Sequence, residues 1–572
     1  MGNNTSCKAN EPGAYAGTDA LGRALPSAAQ APQRAGKKVG LFYFLWQGQH
    51  GTQGPFDNSV ISKKPGATDS EEAWMAAGGS ERMVFHHWGE PLFGYYTSDD
   101  EWVLRRHVEM LTDAGVDFLV FDTTNHTTYS AQALKLFKYL DEYQKQGWKV
   151  PQAAFYTNTE PGETVNWIYH EVYEAHPEYE GLWFRWTDGK PLIIGDIDDP
   201  KLEPAPRGFF HFKPNQWPNE PRKDDGFPWI EFERLLTPAS VYGKPGEPSV
   251  MNVSIAQHCN TVRFSSTAWY GGNDHSRNWH DGANDQSPGA VLHGYNFAEQ
   301  WDFAMEQDPD IVFVTGWNEW IAMRLNPVPG EPVVFCDCAD IDNSRDSEPM
   351  KGGFGDNYYM QLIAGIRRFK GLPEQHAAGS AAASIDPAGP LDQWDSAAIT
   401  AVYHDFRGDT AHRDSIGYGG IHYRNDTGRN DFVCAKAAQD SENLYFYAET
   451  AAPVTAPADH WMSLLLNTGA GEGWNGYHYI VNRVAPENGK AVVEKSTGGW
   501  NWKQAGEAGL RVEGNRLMLV LPKALLGLPC GERLPAPIAF KWADNYQPDD
   551  IYSFYTDGDA APIGRLNYVF EG

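Results

Sequence analysis

The stretch Asp117-Phe-Leu-Val-Phe-Asp122 runs into Thr123-Thr-Asn-His126 and then into an amphipathic segment over 130–146, so it reads as a strand, a polar loop and a helix in succession. The same unit recurs along the first two thirds of the chain. Further apolar runs are Val39-Gly-Leu-Phe-Tyr-Phe-Leu-Trp46, Ala153-Ala-Phe-Tyr156, Pro191-Leu-Ile-Ile194, Gly208-Phe-Phe-His211, Met251-Asn-Val-Ser-Ile255 and Ile311-Val-Phe-Val-Thr315. Helical patterns fall over 99–114, 163–175, 297–307 and 356–369. Such alternation argues for an α/β domain with a parallel sheet. Seven strand candidates before residue 371 predict an eight-stranded TIM-type (β/α) barrel over 37–371, with one strand unrecognised. A doubly wound sheet is the alternative.

The texture then changes. Residues 372–390 are dominated by Ala, Gly, Ser and Pro and read as a linker. From 391 to 572 short alternating runs such as Asn443-Leu-Tyr-Phe-Tyr-Ala-Glu449 are broken by Gly, Asn and Asp turns, which predicts an all-β sandwich. Residues 1–36 lack the apolar segment of a signal peptide and read as a disordered leader.

At 572 residues the chain is too long for one ordinary core. Its formal net charge of −29 would repel a polyanion, which argues against nucleic acid as a partner. No run approaches the roughly 18–20 apolar residues needed to span a bilayer. Six cysteines are too few for a disulfide scaffold and lack zinc-type spacing. The aromatic content of 13% in a polar background suits recognition of sugars, whose rings have apolar faces and hydroxyl rims, although large cores use aromatics too.

In a parallel barrel the reacting groups sit at the carboxyl ends of the strands. Those positions hold Trp46 and His50, Asp122 and Asn125, Glu160, Asp196, Trp217, and finally Trp317-Asn318-Glu319-Trp320. Carboxylates for acid, base or nucleophile work stand among amides, imidazole and indoles, as a sugar site requires, while helix capping is the competing explanation for single Asp and Asn positions. Glu319 between two indoles would be partly desolvated, which raises a carboxyl pKa. A stretch farther on, Phe335-Cys-Asp-Cys-Ala-Asp-Ile-Asp-Asn-Ser-Arg-Asp-Ser-Glu-Pro349, is densely acidic. It reads as a hard-cation site, as a solvated loop, or as a sugar-contacting loop in which Arg345 orients carboxylates such as Asp346. No residue is assigned as a metal ligand.

Trp317-Asn-Glu-Trp320, then Glu348-Pro349, then Gly355-Asp-Asn-Tyr-Tyr359 resemble the end of the barrel in glycoside hydrolase family 99 and its bacterial relatives. The resemblance implies a (β/α) barrel and a glycosidase. It puts Glu319 in the place of the family's first glutamate and Ala322 where a second catalytic glutamate would stand. Either another carboxylate supplies the proton, with Glu348 the first choice and Asp122, Asp346 and Glu160 behind it, or the mechanism and linkage differ from those of family 99. The region from 391 resembles the family 9 carbohydrate-binding module, through Asn443–Glu449, Gly473-Trp-Asn-Gly-Tyr477 and Asp557-Gly-Asp559. That resemblance implies a sandwich with structural calcium.

The expected protein is therefore a monomeric glycoside hydrolase that uses Glu319, Glu348 and Asp122 on an oligosaccharide or polysaccharide. It needs no cofactor for catalysis. It is expected to be secreted, periplasmic or surface-anchored, its export signal removed. The alternatives are a non-catalytic carbohydrate-binding protein and a metal-dependent hydrolase of glycan substituents.

Overall fold

The computed structural model describes residues 15–218, 220–230, 237–257, 275–337, 339–373, 385–469, 473–531 and 533–572. Eight strands form the central sheet: β1 (Lys38–Tyr43), β2 (Phe118–Thr123), β3 (Gln152–Thr157), β4 (Leu192–Ile194), β5 (His211–Lys213), β6 (Val241–Tyr242), β7 (Val250–Ser254) and β8 (Ile311–Thr315). Their order is β5-β4-β3-β2-β1-β8-β7-β6. Every neighbouring pair is parallel except β7 with β6, which is antiparallel. The main helices are α1 (Glu101–Ala114), α2 (Ser130–Lys145), α3 (Pro161–Ile168), α4 (Tyr295–Gln307) and α5 (Asn357–Lys370).

Side chains alternate across a strand, and here each face meets a different core. Phe42, Phe118, Val120, Ala154, Tyr156, Leu192, Ile194, Val250, Ile311 and Phe313 share one inner cluster. Since β4 and β7 stand near opposite edges of the sheet yet feed the same cluster, the sheet must curl around it. Gly40 permits this locally: a Cβ there would lie 2.4 Å from the Phe118 ring. Leu41, Tyr43, Leu119, Phe121, Val312 and Val314 face outward into a core shared with Val103, Leu111, Leu136, Leu140, Leu362 and Ile366 of the helices. Asp100 opens α1 by accepting the Val103 amide, and Gly115, in the left-handed region, ends it.

Among the described residues the barrel is not closed by strand pairing. The segment Phe227-Pro-Trp-Ile230 packs into the inner cluster and pairs in parallel with Asn215-Gln216 just beyond β5, with the Tyr156 hydroxyl donating to the Phe227 carbonyl at 2.7 Å and Phe227 meeting Phe313 at 5.1 Å. The closed eightfold barrel expected from the sequence is thus a curled sheet with seven parallel strands, one antiparallel edge and an aromatic plug. The expected strand 208–211 is also displaced. Pro204 favours a helical first turn, so Pro204–Phe209 coils and the strand begins at His211.

The C-terminal region holds one continuous antiparallel sheet of eleven strands and a separate two-stranded ribbon, Arg413–Ile416 with His422–Asn425. Phe446 in strand Asn443–Thr450 packs 5.1 Å from Phe540 in strand Ile538–Asp544. These strands are six steps apart in the sheet order, so the sheet folds back on its own core. That core is continuous with the outer core of the first domain. Trp148 stacks on Phe406 at 3.8 Å, Arg413 pairs with Asp100 at 2.7 Å, and Arg565 and Tyr555 both donate to Asp356.

Residues 15–36, read from sequence as part of a disordered leader, pack against both domains. The buried Tyr15 donates to Asp113, Ala16 pairs with Asn567, and the Leu372 amide reaches the Ala31 carbonyl at 2.8 Å. The middle of the expected linker, 374–384, lies outside the described residues; Ile385 beyond it is buried with Leu391 and Trp394. Among the described residues no helix is long and apolar enough to cross a membrane.

Candidate active site

β8 delivers the chain to Glu319 at the carboxyl end of the sheet, and residues 345–348 run alongside residues 316–317 in the same direction. The Gly316 amide donates to the Arg345 carbonyl at 2.5 Å, the Ser347 amide to the Gly316 carbonyl at 3.1 Å and the Glu348 amide to the Trp317 carbonyl at 3.0 Å. This pairing brings Arg345 beneath Glu319. Arg345 Nη2 donates to Glu319 Oε2 at 2.7 Å and lies 3.5 Å from Asp337 Oδ1. Asp346 Oδ1 accepts the Glu319 amide at 2.7 Å, and Trp88 Nε1 donates to the Glu319 carbonyl at 2.8 Å.

Burial decides the protonation of these acids. Glu319 is only 2% exposed, and desolvation holds its carboxyl well above the usual range, with Arg345 opposing and Asp337, Asp346 and Asp122 reinforcing. Asp122, at the end of β2, is pushed up to about 6 by burial, against the hydrogen bond that it accepts from the Thr124 amide at 2.8 Å. Burial pushes Asp346 up to about 6 as well. Asp122 senses the charges of Asp337 and Arg345, so β2 and the segment after β8 contribute to one electrostatic cluster.

Aromatic walls flank the carboxylates. Trp217 stacks on Trp229 at 4.4 Å, and the Arg345 guanidinium lies 5.6 Å from the Trp229 ring. Trp46 meets His50 at 5.9 Å, and His50 stacks on Phe85 at 5.0 Å. His50 Nε2 and Asn125 Nδ2 both hydrogen-bond the Tyr129 hydroxyl, at 2.7 and 2.6 Å. Burial lowers the His50 pKa, which favours neutral imidazole at pH 7.

Other residues expected at the site lie elsewhere. Glu348 is 0% exposed and faces the helices, where Oε2 accepts from Tyr96 at 2.7 Å and from Trp320 Nε1 and Oε1 meets His107 Nε2 at 2.9 Å. Its acceptors are thus taken up by Tyr96, Trp320 and His107 within the core. Trp317 and Trp320 are corrected likewise: Trp320 stacks on Trp88 at 4.3 Å, and Trp317 packs against His107 and Tyr359. Asn318 ties the turn to β1, exchanging hydrogen bonds with the Phe44 backbone at 2.9 and 3.1 Å. Glu160 is exposed and bound to Lys201 at 2.6 Å, while Asp196 is exposed and accepts the Asp198 amide at 2.9 Å. Ala322 pairs with His86 across a short ribbon and is buried in a cluster with Trp74 and Phe335, so no carboxylate belongs there.

Trp229 and Tyr129 were not singled out from sequence. Trp229 lies in an irregular segment without periodicity, and Tyr129 stands at a left-handed turn before α2. Asp337, one of several acids in its loop, also takes positive φ.

No family model matches the sequence, and no curated protein matches it. Among solved structures the chain is similar to the glycoside hydrolase family 99 endo-α-mannosidase from Bacteroides thetaiotaomicron. The likeness covers 58% of this chain and 97% of that one, at 16% identity and a TM-score of 0.34 in its complex with bis-tris propane. A second structure of that enzyme gives a TM-score of 0.33 with the same identity and coverage. A glycoside hydrolase-like protein is matched at 14% identity and a TM-score of 0.31, over 58% of this chain and 94% of that one.

Proposed function

We propose that the protein is a glycoside hydrolase that cleaves glycosidic bonds of a polysaccharide or complex glycan, with Glu319 and Asp122 as its paired carboxyls. The observation that carries this reading is the cluster around Arg345: Glu319, Asp337 and Asp346 with Asp122 in the same field, at the carboxyl ends of β8 and β2 on either side of β1. Glycoside cleavage needs one carboxyl that holds a proton near neutral pH and another that is ionised. Glu319, the more strongly raised, donates its proton to the glycosidic oxygen as the bond to the anomeric carbon breaks. Asp122, ionised above pH about 6, takes the proton of the water that attacks that carbon. The catalyst then returns to its starting state by exchanging one proton with solvent. Trp217 and Trp46 offer their faces to sugar rings, and the C-terminal sheet serves as an accessory domain.

Release of reducing ends from a panel of mannans, glucans, xylans and complex N-glycans tests this reading. Activity on at least one member, lost in the Asp122→Asn variant, is expected. A second reading has its own observation, the Arg345 guanidinium held 2.7 Å from Glu319 Oε2, which occupies the carboxyl that would act as acid: a glycan-binding protein without turnover. Measurable binding across the panel with no new reducing ends would select it.

A further inference from the structure

Among the described residues Trp167 is the one aromatic side chain left largely open to solvent, 41% exposed. It lies on α3 between Asn166 and Ile168, which are both buried, so its outward position comes from the turn of the helix and not from a frayed end. A single exposed apolar side chain is ordinary on a protein surface. Its surroundings decide what it can do.

α3 follows β3 at the carboxyl end of the sheet, the end that carries the candidate active site. The loop after β2 joins the two. In that loop Asn125 donates to the Tyr129 hydroxyl on the wall of the site, whereas the next residue, His126, is held by α3. The His126 ring lies 4.5 Å from the Trp167 ring, its Nδ1 meets Thr164 Oγ1 at 2.9 Å, and its Nε2 lies 3.7 Å from Glu163 Oε2. Thr164 and Glu163 stand three and four residues before Trp167, on the same face of the helix. The indole is therefore braced by an imidazole and bordered by groups that can bond hydroxyls, the combination that a sugar ring with apolar faces requires.

Charge and reach narrow the ligand further. Lys201 is shared between Glu160 at 2.6 Å and Glu163 at 3.2 Å, and Glu171 accepts from Thr128 at 2.8 Å, so acids outnumber cations here and an anionic glycan would be repelled. His126 follows Asp122 by four residues, at most about 14 Å of chain. A short run of sugar units covers that distance.

We propose that Trp167 is an outer platform on which a neutral glycan chain stacks as it leads to Asp122, so that the protein favours chains long enough to reach it. The kind of ligand rests on the glycoside hydrolase reading above; the platform itself is tested without turnover.

Full-length protein is run through native gels containing a soluble galactomannan, a mixed-linkage β-glucan or a xylan. At least one polysaccharide is expected to retard the wild type. Trp167→Ala should bind it about tenfold more weakly, the scale of one lost aromatic anchor, and Trp167→Tyr should keep most of the affinity because an aromatic face remains. Reducing ends released from the same polysaccharide are measured in parallel. Weaker binding by Trp167→Ala in a protein that releases none would support the platform and remove the hydrolase reading. Release of reducing ends with equal retardation of wild type and Trp167→Ala would keep that reading and overturn the platform. Wild type that no polysaccharide retards, or equal losses in Trp167→Ala and Trp167→Tyr, would overturn it as well.

Discussion

Arg345 Nη2 and Glu319 Oε2 lie 2.7 Å apart, and both side chains are almost wholly buried. The pair is fixed from both ends, since the Arg345 carbonyl accepts the Gly316 amide and the Asp346 carboxylate accepts the Glu319 amide. A buried carboxyl beside a guanidinium is drawn in two directions, and here desolvation outweighs the attraction, leaving Glu319 above the ordinary carboxylate range. The arrangement holds the Glu319 carboxyl in place on a backbone that is itself hydrogen-bonded.

Asp122 should reveal its environment through the pH dependence of stability. Its pKa rises from 3.8 unfolded to about 6 folded, so stability from this group is present below pH about 4 and lost as pH rises through 6. The change is at most about 3 kcal/mol, from roughly two units at 1.36 kcal/mol each. Asp122→Asn keeps the acceptor for the Thr124 amide. Denaturant titrations should find the variant more stable than wild type at pH 8 and equal to it at pH 4. A loss of stability at pH 8 would contradict the burial argument.

Because Asp122 must be ionised to act as base, the rate should fall as pH drops below about 6. An initial-rate profile on any accepted glycan checks this. A rate that stays flat from pH 7 to pH 4 would remove Asp122 from the mechanism.

Glu348→Gln should separate structure from catalysis. The amide replaces a carboxylate that accepts from Tyr96 and Trp320 and meets His107, so a loss of about 2–4 kcal/mol is expected in chemical denaturation. The turnover of the folded fraction should stay within about threefold of wild type, unlike the hundredfold scale of a lost acid or base. A stable but inactive variant would return Glu348 to the active site.

Cutting the chain after residue 372 removes the sheet that shares the outer core and takes away Phe406 from Trp148 and Arg565 from Asp356. The shortened protein should aggregate on size-exclusion chromatography, because the exposed apolar surface is large and continuous. A soluble monomer with unchanged melting temperature would show that the first domain stands alone.

Much of the sheet was legible because β1, β2 and β8 are covered on both faces and so read as uninterrupted apolar runs. The irregular parts were not. Phe227–Ile230 packs into the interior without any period, and Pro204 turned an apolar run into a helix. At the site, residue types pointed to Glu319, Arg345 and Asp122, but orientation after β8 is set by tertiary contacts. Trp317, Trp320 and Glu348 lie on the helix-facing side, and nothing local distinguishes them from Glu319. Tyr15 was hidden by the surrounding Ala and Gly, since one aromatic in a low-complexity segment carries no pattern.

The central claim is that Glu319 donates the proton for glycoside cleavage, and the most direct measurement is kcat/KM of Glu319→Gln on the best substrate from the panel. The glutamine can still accept from Arg345 Nη2 but cannot supply the acid. The account predicts a fall of at least about a hundredfold with the melting temperature unchanged or raised. A folded Glu319→Gln protein that releases reducing ends at close to the wild-type rate would contradict it.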